Sequence, residues 1–407
     1  MHQNLFNQNV HKMFDYRKTQ ELTCMIFLCI LFAGCNDKKT SGEGNLSNEG
    51  LTEVYIDMDN DEDALPFDSL FELASVVKLE TTDDNLVGDI FDILPLRDKI
   101  VVEDMEISQS VTVYDMNGKY LNRIGTFGQG PEEYSFLEYV SADSTAGIVR
   151  ISDIGGQKVM SFDENGKFLN SIPMPFFAYR CEPLTDDVVV SHLDEGIALD
   201  GKPRLVISDL QKNVRYSGFP TDLHGDYNLV SLHALRRYGD NVFFVPAYRE
   251  QDTIYQVTPN GVLPYYYLNI KRNGNIKEED KNNVDKFNEK LESLSAYFIG
   301  DFIELKGYAI FGLSEPRSSW QRFAVYSKAK KKCYYCTGNY FDGRLRFALN
   351  PRFPYRDDVF VTYAQAIEVM KFKDEIYRLC KKEDADALFD GLTEDSNPVL
   401  LFYRVKI

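Results

Sequence analysis

The amino-acid sequence predicts an all-β fold, a six-bladed β-propeller with four-stranded antiparallel blades, one helical insertion and short C-terminal helices. The main observation is a ten-residue phrase that occurs twice, as Asp115–Ile124 and Asp163–Ile172, at a spacing of 48 residues. Self-similarity at a period of about 40–50 residues is typical of propellers and solenoids. The 407 residues include 25 Tyr and 28 Phe, and this abundance suits half-buried strands.

The repeated phrase has the pattern of a β-hairpin. Each copy carries an Asn-Gly pair between two strand-like flanks, Asn117-Gly118 in the first and Asn165-Gly166 in the second. We expect both residues of each pair to supply the positive φ angles of a tight two-residue turn.

The strand-ending positions of Asp115 and Asp163 recur along the chain at Asp209, Thr258 and Ser327. The last interval is about twenty residues longer than the others. The surplus falls on residues 277–298, where Val284, Phe287, Leu291 and Leu294 have helical spacing. We expect an inserted amphipathic helix, which either contributes to a binding face or caps a sheet edge beneath the propeller.

Five repeats are visible, and both ends of the chain supply further strand segments. These lie at 75–79, 89–94 and 99–102 before the first repeat, and at 358–362 and 397–407 after the fifth. Residues 375–390 between the last two have the pattern of one or two short helices. We predict a sixth blade built from both ends, because joining the ends removes the open edge of the ring. An open solenoid is the alternative, but it would show shorter rungs and terminal caps.

The N-terminal region has the pattern of a signal peptide. Leu22–Ala33 is apolar over 12 residues, too short to span a bilayer as a helix, and Arg17 and Lys18 precede it. The segment ends in Phe32-Ala33-Gly34-Cys35, which resembles a bacterial lipobox with Phe where Leu is usual. We therefore expect a signal peptide over 1–34, a lipidated Cys35 with a flexible tether over 35–50, and the propeller over 51–407.

Two alternatives for Cys35 remain open at this point. The segment would otherwise be an ordinary secretory signal that contains a cysteine, or a short membrane anchor that is not cleaved. Translation begins at Met1 or at Met13. The lipid anchor predicts a cell-envelope protein on the outer membrane, with its periplasmic or surface orientation undetermined.

The formal net charge is −18, from 63 acidic and 45 basic residues. Such a field repels phosphate backbones, so nucleic acid is excluded as a partner. One dense basic cluster, Lys328 with Lys330, Lys331 and Lys332, is interpreted as a solvated hairpin turn rather than an anion site.

The cysteines of the mature chain are interpreted as buried free thiols. Cys333 and Cys336 have CxxC spacing but lie in a strand-like aromatic stretch, where residues three apart point to opposite faces. They are therefore expected neither to bond each other nor to share a zinc ion.

The turn phrase is followed by Ile124-Gly-Thr-Phe-Gly-Gln-Gly-Pro-Glu-Glu-Tyr134. This segment resembles the G-x-x-G-x-G-P-G-E-Y signature of six-bladed β-propeller lipoproteins of Bacteroidetes-type bacteria, which are NHL-repeat-like. Asn397–Lys406 is similar to the closing strand of that family, and the resemblance covers about residues 50 to 407. Glu132 replaces a usual Gly. The resemblance implies a cell-envelope location and no particular activity.

Two motifs in the mature chain have both a structural and a functional interpretation. The glycines of 125–130 precede Pro131 and two glutamates, so we favour a structural turn over a phosphate loop. The alternating acids of 57–63 lack the Gly and Glu of an EF-hand loop, so we favour a solvated lead-in to the first strand over calcium binding.

The sequence contains no catalytic motif, and we predict no catalytic residue, no metal and no cofactor. The histidines of the mature chain are scattered, although metal ligands in related propellers make His224 and His233 a minor alternative. Arg317 and Trp320 are the ligand-binding candidates, because Arg and Trp are favoured at binding hot spots; the alternative for Trp320 is a core aromatic.

These observations favour a monomeric, lipid-anchored propeller that acts as a binding or interaction platform. Its partners would be the membrane, through the lipid, and a protein or a small-molecule or glycan ligand. The alternative is a lyase or hydrolase that uses a divalent cation in the central channel. A role as the sensor component of a transport or signalling system is a third possibility.

Overall fold

The computed structural model describes residues 50–193, 199, 203–220, 234–246, 252–277, 279–280, 283–315, 320–337 and 353–407. Within this part of the chain, six sheets of four or five strands form a six-bladed β-propeller, as the sequence predicts.

The described part of the chain begins with three strands, a 3₁₀ turn and a short helix, namely β1 (Thr52–Ile56), the 3₁₀ turn Asp61–Asp63, β2 (Ala64–Pro66), α1 (Phe67–Leu70) and β3 (Phe71–Lys78). Blades I to III follow as four-stranded antiparallel meanders. Their strands are β4 (Asp92–Leu96), β5 (Lys99–Asp104), β6 (Ser110–Asp115) and β7 (Tyr120–Arg123); β8 (Leu137–Asp143), β9 (Ile148–Asp153), β10 (Lys158–Asp163) and β11 (Phe168–Pro173); and β12 (Ala178–Pro183), β13 (Val188–Leu193), β14 (Leu205–Asp209) and β15 (Val214–Gly218).

Blades IV to VI contain the remaining strands and four helices. The elements are β16 (Leu235–Tyr238), β17 (Asn241–Phe244), β18 (Thr253–Thr258) and β19 (Gly261–Ile270); α2 (Val284–Ser293); β20 (Tyr297–Glu304), β21 (Tyr308–Glu315), β22 (Trp320–Ser327) and β23 (Lys332–Thr337); and β24 (Phe353–Arg356), β25 (Val359–Ala364), α3 (Ala366–Lys371), α4 (Lys373–Leu379), α5 (Lys382–Phe389) and β26 (Val399–Val405).

The repeat of the sequence marks the same position in five blades. Its five strand-ending residues close the third strands β6, β10, β14, β18 and β22, at Asp115, Asp163, Asp209, Thr258 and Ser327. The prediction of five sequential blades is therefore confirmed.

The turns of the repeated phrase differ from the expected geometry. Only Gly118 and Gly166 have positive φ, at 83° and 80°, while Asn117 and Asn165 do not. Asp115 Oδ1 accepts hydrogen bonds from the backbone N–H groups of Asn117 and Lys119, at 2.8 and 2.9 Å. This side-chain acceptor stabilises a type I turn followed by a glycine bulge, so the expectation of two positive φ angles was wrong.

The two ends of the chain build blade VI together, as predicted. β3 pairs antiparallel with β26, with Val77 opposite Leu400. The same N-terminal segment also adds two strands that the sequence pattern does not predict: β1 pairs parallel with β19 in blade IV, and β2 pairs parallel with β23 in blade V. The acidic residues 57–63 therefore connect two strands, and do not lead into the first one. The segment covers the outer edges of three adjacent blades.

The hydrophobic core is divided among the interfaces between blades. One cluster joins blades I and II around Val113 and Ile151, another joins IV and V around Leu268 and Phe311, and others lie at the remaining interfaces. Each blade thus buries both faces against its neighbours, which is what closes the ring.

The helices pack on the propeller rather than extend from it. α2 occupies the centre of the predicted insertion at 277–298, although Phe298 belongs to β20. Asn283 caps α2 by accepting a hydrogen bond from Lys286 N at 3.0 Å. Its buried face packs Phe287 and Leu291 against Tyr297. Helices α4 and α5 fall where short helices were predicted, while α3 was not predicted.

The described cysteines are free thiols. Cys333 and Cys336 are both buried, but each belongs to a different cluster, one between blades IV and V and one between V and VI. In the part of the chain that the structure describes, no helix has the length and apolar character needed to cross a membrane.

Candidate axial binding site

The first strands of the blades form the inner wall of the ring. Neighbouring first strands are in contact, β24 with β4, β4 with β8, β8 with β12 and β20 with β24. A cavity of about 350 Å³ is lined by β4, β8, β16, β20 and β24 and by the turns that follow them. A cavity lined by first strands from five blades lies on the propeller axis. Its volume is within the usual range of small-ligand sites, about 300–1,000 Å³.

Charged side chains dominate the polar part of the cavity wall. Five are cationic and three are carboxylates, namely Arg236, Arg237, Lys306, Lys328 and Arg356 against Asp92, Glu304 and Asp357. In the whole chain the balance is reversed, with 45 basic and 63 acidic residues. The cavity is therefore a locally cationic surface of an acidic protein.

Arg237 is held by a buried ion pair with blade III. Its Nε lies 2.5 Å from Glu182 Oε1, and its Nη2 donates to the Pro183 carbonyl at 2.7 Å. The two side chains are 9% and 0% exposed. Burial opposes the charge of Arg237, but the facing Glu182 carboxylate outweighs it and raises the pKa of the guanidinium. Arg237 therefore stays charged and fixed in the wall.

A second polar layer lies around Asp92 at the start of β4. Arg236 Nη2 is 3.6 Å from Asp92 Oδ2, too long for a hydrogen bond, and burial raises the pKa of Asp92 despite that neighbour. Glu103 stands opposite Asp92 in the β4–β5 ladder. Burial, and then the charge of Asp92, raise the pKa of Glu103 well above its usual range. Neither carboxylate oxygen of Glu103 has a hydrogen-bond partner among the described residues.

Lys328 also belongs to this site, although the sequence suggested only a solvated turn. Its Nζ donates to Glu304 Oε1 at 2.6 Å and to the carbonyl oxygens of Leu305 and Lys306 at 2.5 and 3.3 Å. The ammonium is thus fully engaged in crosslinking the end of β20. For Lys328, the interpretation as a solvated turn residue was wrong, because the turn after β22 reaches the axis.

The rim of the cavity carries the more exposed cations. Lys306 and Asp357 form an ion pair at 3.3 Å with side chains 77% and 74% exposed, and such a pair contributes little stability. Arg356 is exposed, and its guanidinium carbon lies 5.3 Å from the centre of the Tyr355 ring. The Arg356 guanidinium makes no hydrogen bond or ion pair with the residues that the structure describes, which leaves its N–H groups available to a ligand.

The predicted ligand-binding residues fall outside the part of the chain whose side chains the structure describes. Arg317, His224, His233 and Cys35 lie outside the described residues. Trp320 begins β22, but its side chain is outside the described part as well. Their predicted roles remain predictions.

His192 is described, and its surroundings exclude it from an open site. The ring is 7% exposed and lies edge-on to Phe244 at 5.6 Å. Burial and then the charge of Arg180 lower the pKa of His192 to about 3, so it is neutral at physiological pH. Among the described residues there is no group of three or more His, Cys, Asp or Glu side chains placed to hold a metal ion.

Side chains of the glycine-rich loop and of the acidic segment 57–63 make contacts within the fold. In the glycine-rich loop, Glu133 Oε2 accepts a hydrogen bond from Gly130 N at 2.8 Å, and a Cβ at Gly128 would lie 2.0 Å from that oxygen. In the acidic segment, Asp57 pairs with Lys271 at 3.0 Å and Asp63 with Lys332. Their carboxylates are thus committed to contacts within the fold.

The sequence does not predict the cavity because its lining residues come from separate segments of the chain. The available signals were Arg236-Arg237 in a strand-like stretch and Tyr355-Arg356 before a turn. Each is a common surface pattern by itself, and only the ring brings them together.

Comparison with solved structures supports the architecture. A Bacteroides fragilis protein described as exported is 21% identical, with a TM-score of 0.71 over 88% of this chain and 100% of that chain. A member of the DUF4221 family from Bacteroides vulgatus is 8% identical, with a TM-score of 0.45 over 83% of this chain and 99% of its own. Virginiamycin B lyase from Staphylococcus aureus is 9% identical, with a TM-score of 0.38 over 83% and 100%. The similarity to the Bacteroides fragilis protein is a similarity of fold.

No curated protein matches the chain. The sequence profile of a family described as a domain of unknown function, DUF4934, matches residues 52–404, from the first residue of β1 almost to the end of β26. The predicted resemblance to Bacteroidetes-type six-bladed propellers is confirmed by this match and by the shared fold. Because the match spans the whole propeller, the chain belongs to the DUF4934 family.

Proposed function

We propose that the protein is a cell-envelope lipoprotein whose propeller binds a small polar ligand in the axial cavity. The observation that carries the proposal is the cavity itself: about 350 Å³, with charged side chains from several blades converging on it. Ion pairs such as Arg237–Glu182 hold the wall in place before any ligand arrives. In this proposal the propeller works as a monomer, since one ring forms the complete site.

The N-terminal segment supports the proposed location. Leu22–Ala33 and the lipobox-like end at Cys35 support export and lipidation. The similar Bacteroides fragilis protein is itself described as exported. A lipid on Cys35 would leave the ring tethered at an outer-membrane surface.

Ligand binding is tested with a matched pair of variants at the cavity mouth. Ser144 lines the cavity, while the next residue, Thr145, is exposed and does not. The protein is screened by thermal shift against a panel of sugars, sugar acids, amino acids and nucleosides. We expect a hit with the wild type and with Thr145→Trp, and none with Ser144→Trp, which fills the mouth. A panel without hits, or binding that persists in Ser144→Trp, overturns the proposal.

Anchoring is tested separately by cell fractionation. We expect Cys35→Ala and the signal-peptidase inhibitor globomycin each to block processing and to remove the mature protein from the outer-membrane fraction. Unchanged processing and membrane association would refute the lipoprotein assignment. Metal analysis of the purified protein provides a check on the mode of action, because a stoichiometric bound ion would favour the cation-dependent lyase or hydrolase.

A further inference from the structure

We propose that the ligand of the axial cavity is a small monoanionic sugar acid, whose carboxylate pairs with Arg356 and whose ring lies against the tyrosines of the wall. This inference rests on the proposed binding function and adds the chemical class of the ligand. Three features of the cavity support it: the sign of its charge, a rim arginine with no ion-pair partner among the described residues, and the aromatic and hydroxyl groups of the wall.

The sign of the charge selects an anion. An acidic chain of net charge −18 repels anions over most of its surface. The cavity wall, with five cations and three carboxylates, is the exception. With Arg237 neutralised by Glu182, the wall still has four cations against three carboxylates, and this excess favours a negatively charged ligand.

The number of available cations limits the charge to about one. Lys328 uses its ammonium on Glu304 and on two carbonyl oxygens. Arg237 is committed to Glu182, and Arg236 faces Asp92 at 3.6 Å. Arg356 has no ion-pair partner among the described residues, and a guanidinium can bind a carboxylate through two parallel hydrogen bonds. Because Asp357 follows it directly, a doubly charged group such as a phosphate would meet repulsion at the same rim.

Lys306 supports the same end of the ligand. Its backbone N–H donates to the Asp357 carbonyl at 2.9 Å, which brings blade V to the Arg356 turn of blade VI. Its side-chain pair with Asp357 is exposed on both sides and can open at little cost. A carboxylate at the rim would then meet the Arg356 guanidinium and the Lys306 ammonium, while the neighbouring Asp357 keeps the net charge of the rim at one positive unit, two cations against one carboxylate.

The wall beside Arg356 suits a flat, hydroxylated body. Tyr355 and Tyr238 both line the cavity and are half-buried. Tyr238 is held in place because its hydroxyl donates to the Phe302 carbonyl at 2.5 Å. Aromatic side chains in a cavity wall provide apolar area against which the apolar face of a pyranose ring can pack.

Two hydroxyls in the wall have no hydrogen-bond partner in the described part of the chain. Tyr139 and Ser141 stand two residues apart on β8, are 5% and 2% exposed, and make no side-chain hydroxyl hydrogen bond with the described residues. Buried hydroxyls are normally satisfied. Both oxygens are covered in this structure, so a ligand hydroxyl reaches them only after a side-chain rotation. They provide the donors and acceptors that a sugar, unlike a simple fatty acid, would use.

The test is calorimetric titration of the full-length protein in detergent with D-glucuronate, D-glucose, glucose 6-phosphate and acetate. Glucose keeps the ring without the charge, and acetate keeps the charge without the ring. We expect glucuronate to bind about tenfold or more tighter than glucose, as a charge-assisted hydrogen bond implies, and acetate not to bind measurably.

Arg356→Gln is the decisive variant, and Arg378→Gln is its control. Arg378 is exposed on α4 and does not line the cavity, so both changes remove one positive charge from the chain. We expect Arg356→Gln to reduce glucuronate affinity to that of glucose, with glucose affinity unchanged, and Arg378→Gln to leave both unchanged. Tyr139→Phe should weaken both sugars a few-fold without unfolding the protein, because it removes an unpaired hydroxyl.

The outcomes separate this inference from the proposed function. Equal affinity for glucose and glucuronate, unaffected by Arg356→Gln, overturns the acidic class while binding in the cavity stands. If glucose 6-phosphate binds more tightly than glucuronate, the assignment of a single negative charge to the ligand is overturned. Absence of binding by all four probes up to about 10 mM overturns the sugar-acid assignment, and the wider panel with Ser144→Trp then decides whether the cavity binds anything.

Discussion

Gly118 is expected to be a site where one methyl group disrupts the contact between two blades. Its φ is 83°, and a Cβ there would lie 2.0 Å from the Lys78 carbonyl oxygen and 2.9 Å from Val77 Cγ1. Lys78 ends β3, the outermost strand of blade VI, and the Gly118 carbonyl accepts a hydrogen bond from Glu80 N at 2.7 Å. The turn of blade I thus rests directly on the strand that closes the ring.

The magnitude follows from two contributions. A left-handed backbone costs an alanine about 1–2 kcal/mol. A contact of 2.0 Å with backbone must be relieved by movement of the turn or of β3, and overpacking of this kind costs about 1–3 kcal/mol more. Gly118→Ala should therefore lower the free energy of unfolding by about 2–5 kcal/mol.

Gly391→Ala is the matched control. Gly391 has φ of 68°, and a Cβ there would meet nothing within 4 Å. It shares the backbone cost and the loss of unfolded-chain entropy, but not the contact. Gly166→Ala provides a second case, since its Cβ would lie 2.4 Å from the Arg123 carbonyl oxygen of blade I.

The assay is equilibrium urea unfolding followed by circular dichroism and by the fluorescence of the single tryptophan, used where the two transitions coincide. We expect Gly118→Ala and Gly166→Ala to lose at least about 1 kcal/mol more than Gly391→Ala. An equal decrease in the free energy of unfolding in all three variants would show that the inter-blade contact does not affect stability, and would refute this reasoning.

Two further predictions concern buried charge. Arg237→Met leaves the fully buried Glu182 without its partner and should cost about 3–5 kcal/mol, whereas Arg237→Met combined with Glu182→Leu should recover most of it; additive losses in urea unfolding would contradict this. The pKa of His192 is about 3 in the folded protein, against an ordinary value of 6.5. Between these two pH values the unfolded chain is protonated at His192 and the folded chain is not. Stability should therefore fall as the pH drops from 6.5 towards 3, by about 1.4 kcal/mol per pH unit at most, and His192→Phe should remove that part of the slope. An identical pH profile in the variant would refute this assignment.

The blade count could be predicted from the sequence because turn chemistry is local. An aspartate that caps its own turn and a glycine with positive φ mark the end of a third strand at Asp115 and Asp163. The expectation failed in detail at Asn117 and Asn165, because the bulged turn needs only one positive φ. The closing of blade VI was also predictable, since an open edge must find a partner.

The two added strands could not be predicted in the same way. β1 and β2 are five and three residues long, and their parallel partners are about two hundred residues or more away, as with Thr52 opposite Tyr266. Parallel pairing leaves no hairpin turn between the partners. Nothing in the local sequence therefore indicates which edge such a strand will cover.

The sequence by itself determined the number of blades, the turns between strands, the closure of the ring and the expectation of free thiols, because each depends on residues a few positions apart or on the alternation of a strand. The tertiary structure decided which polar side chains meet at the axis. Asp92, Arg236, Lys328 and Arg356 come from four blades and share no pattern. These residues are far apart in the sequence, and they interact only because the closed ring brings their charges within a short distance of one another.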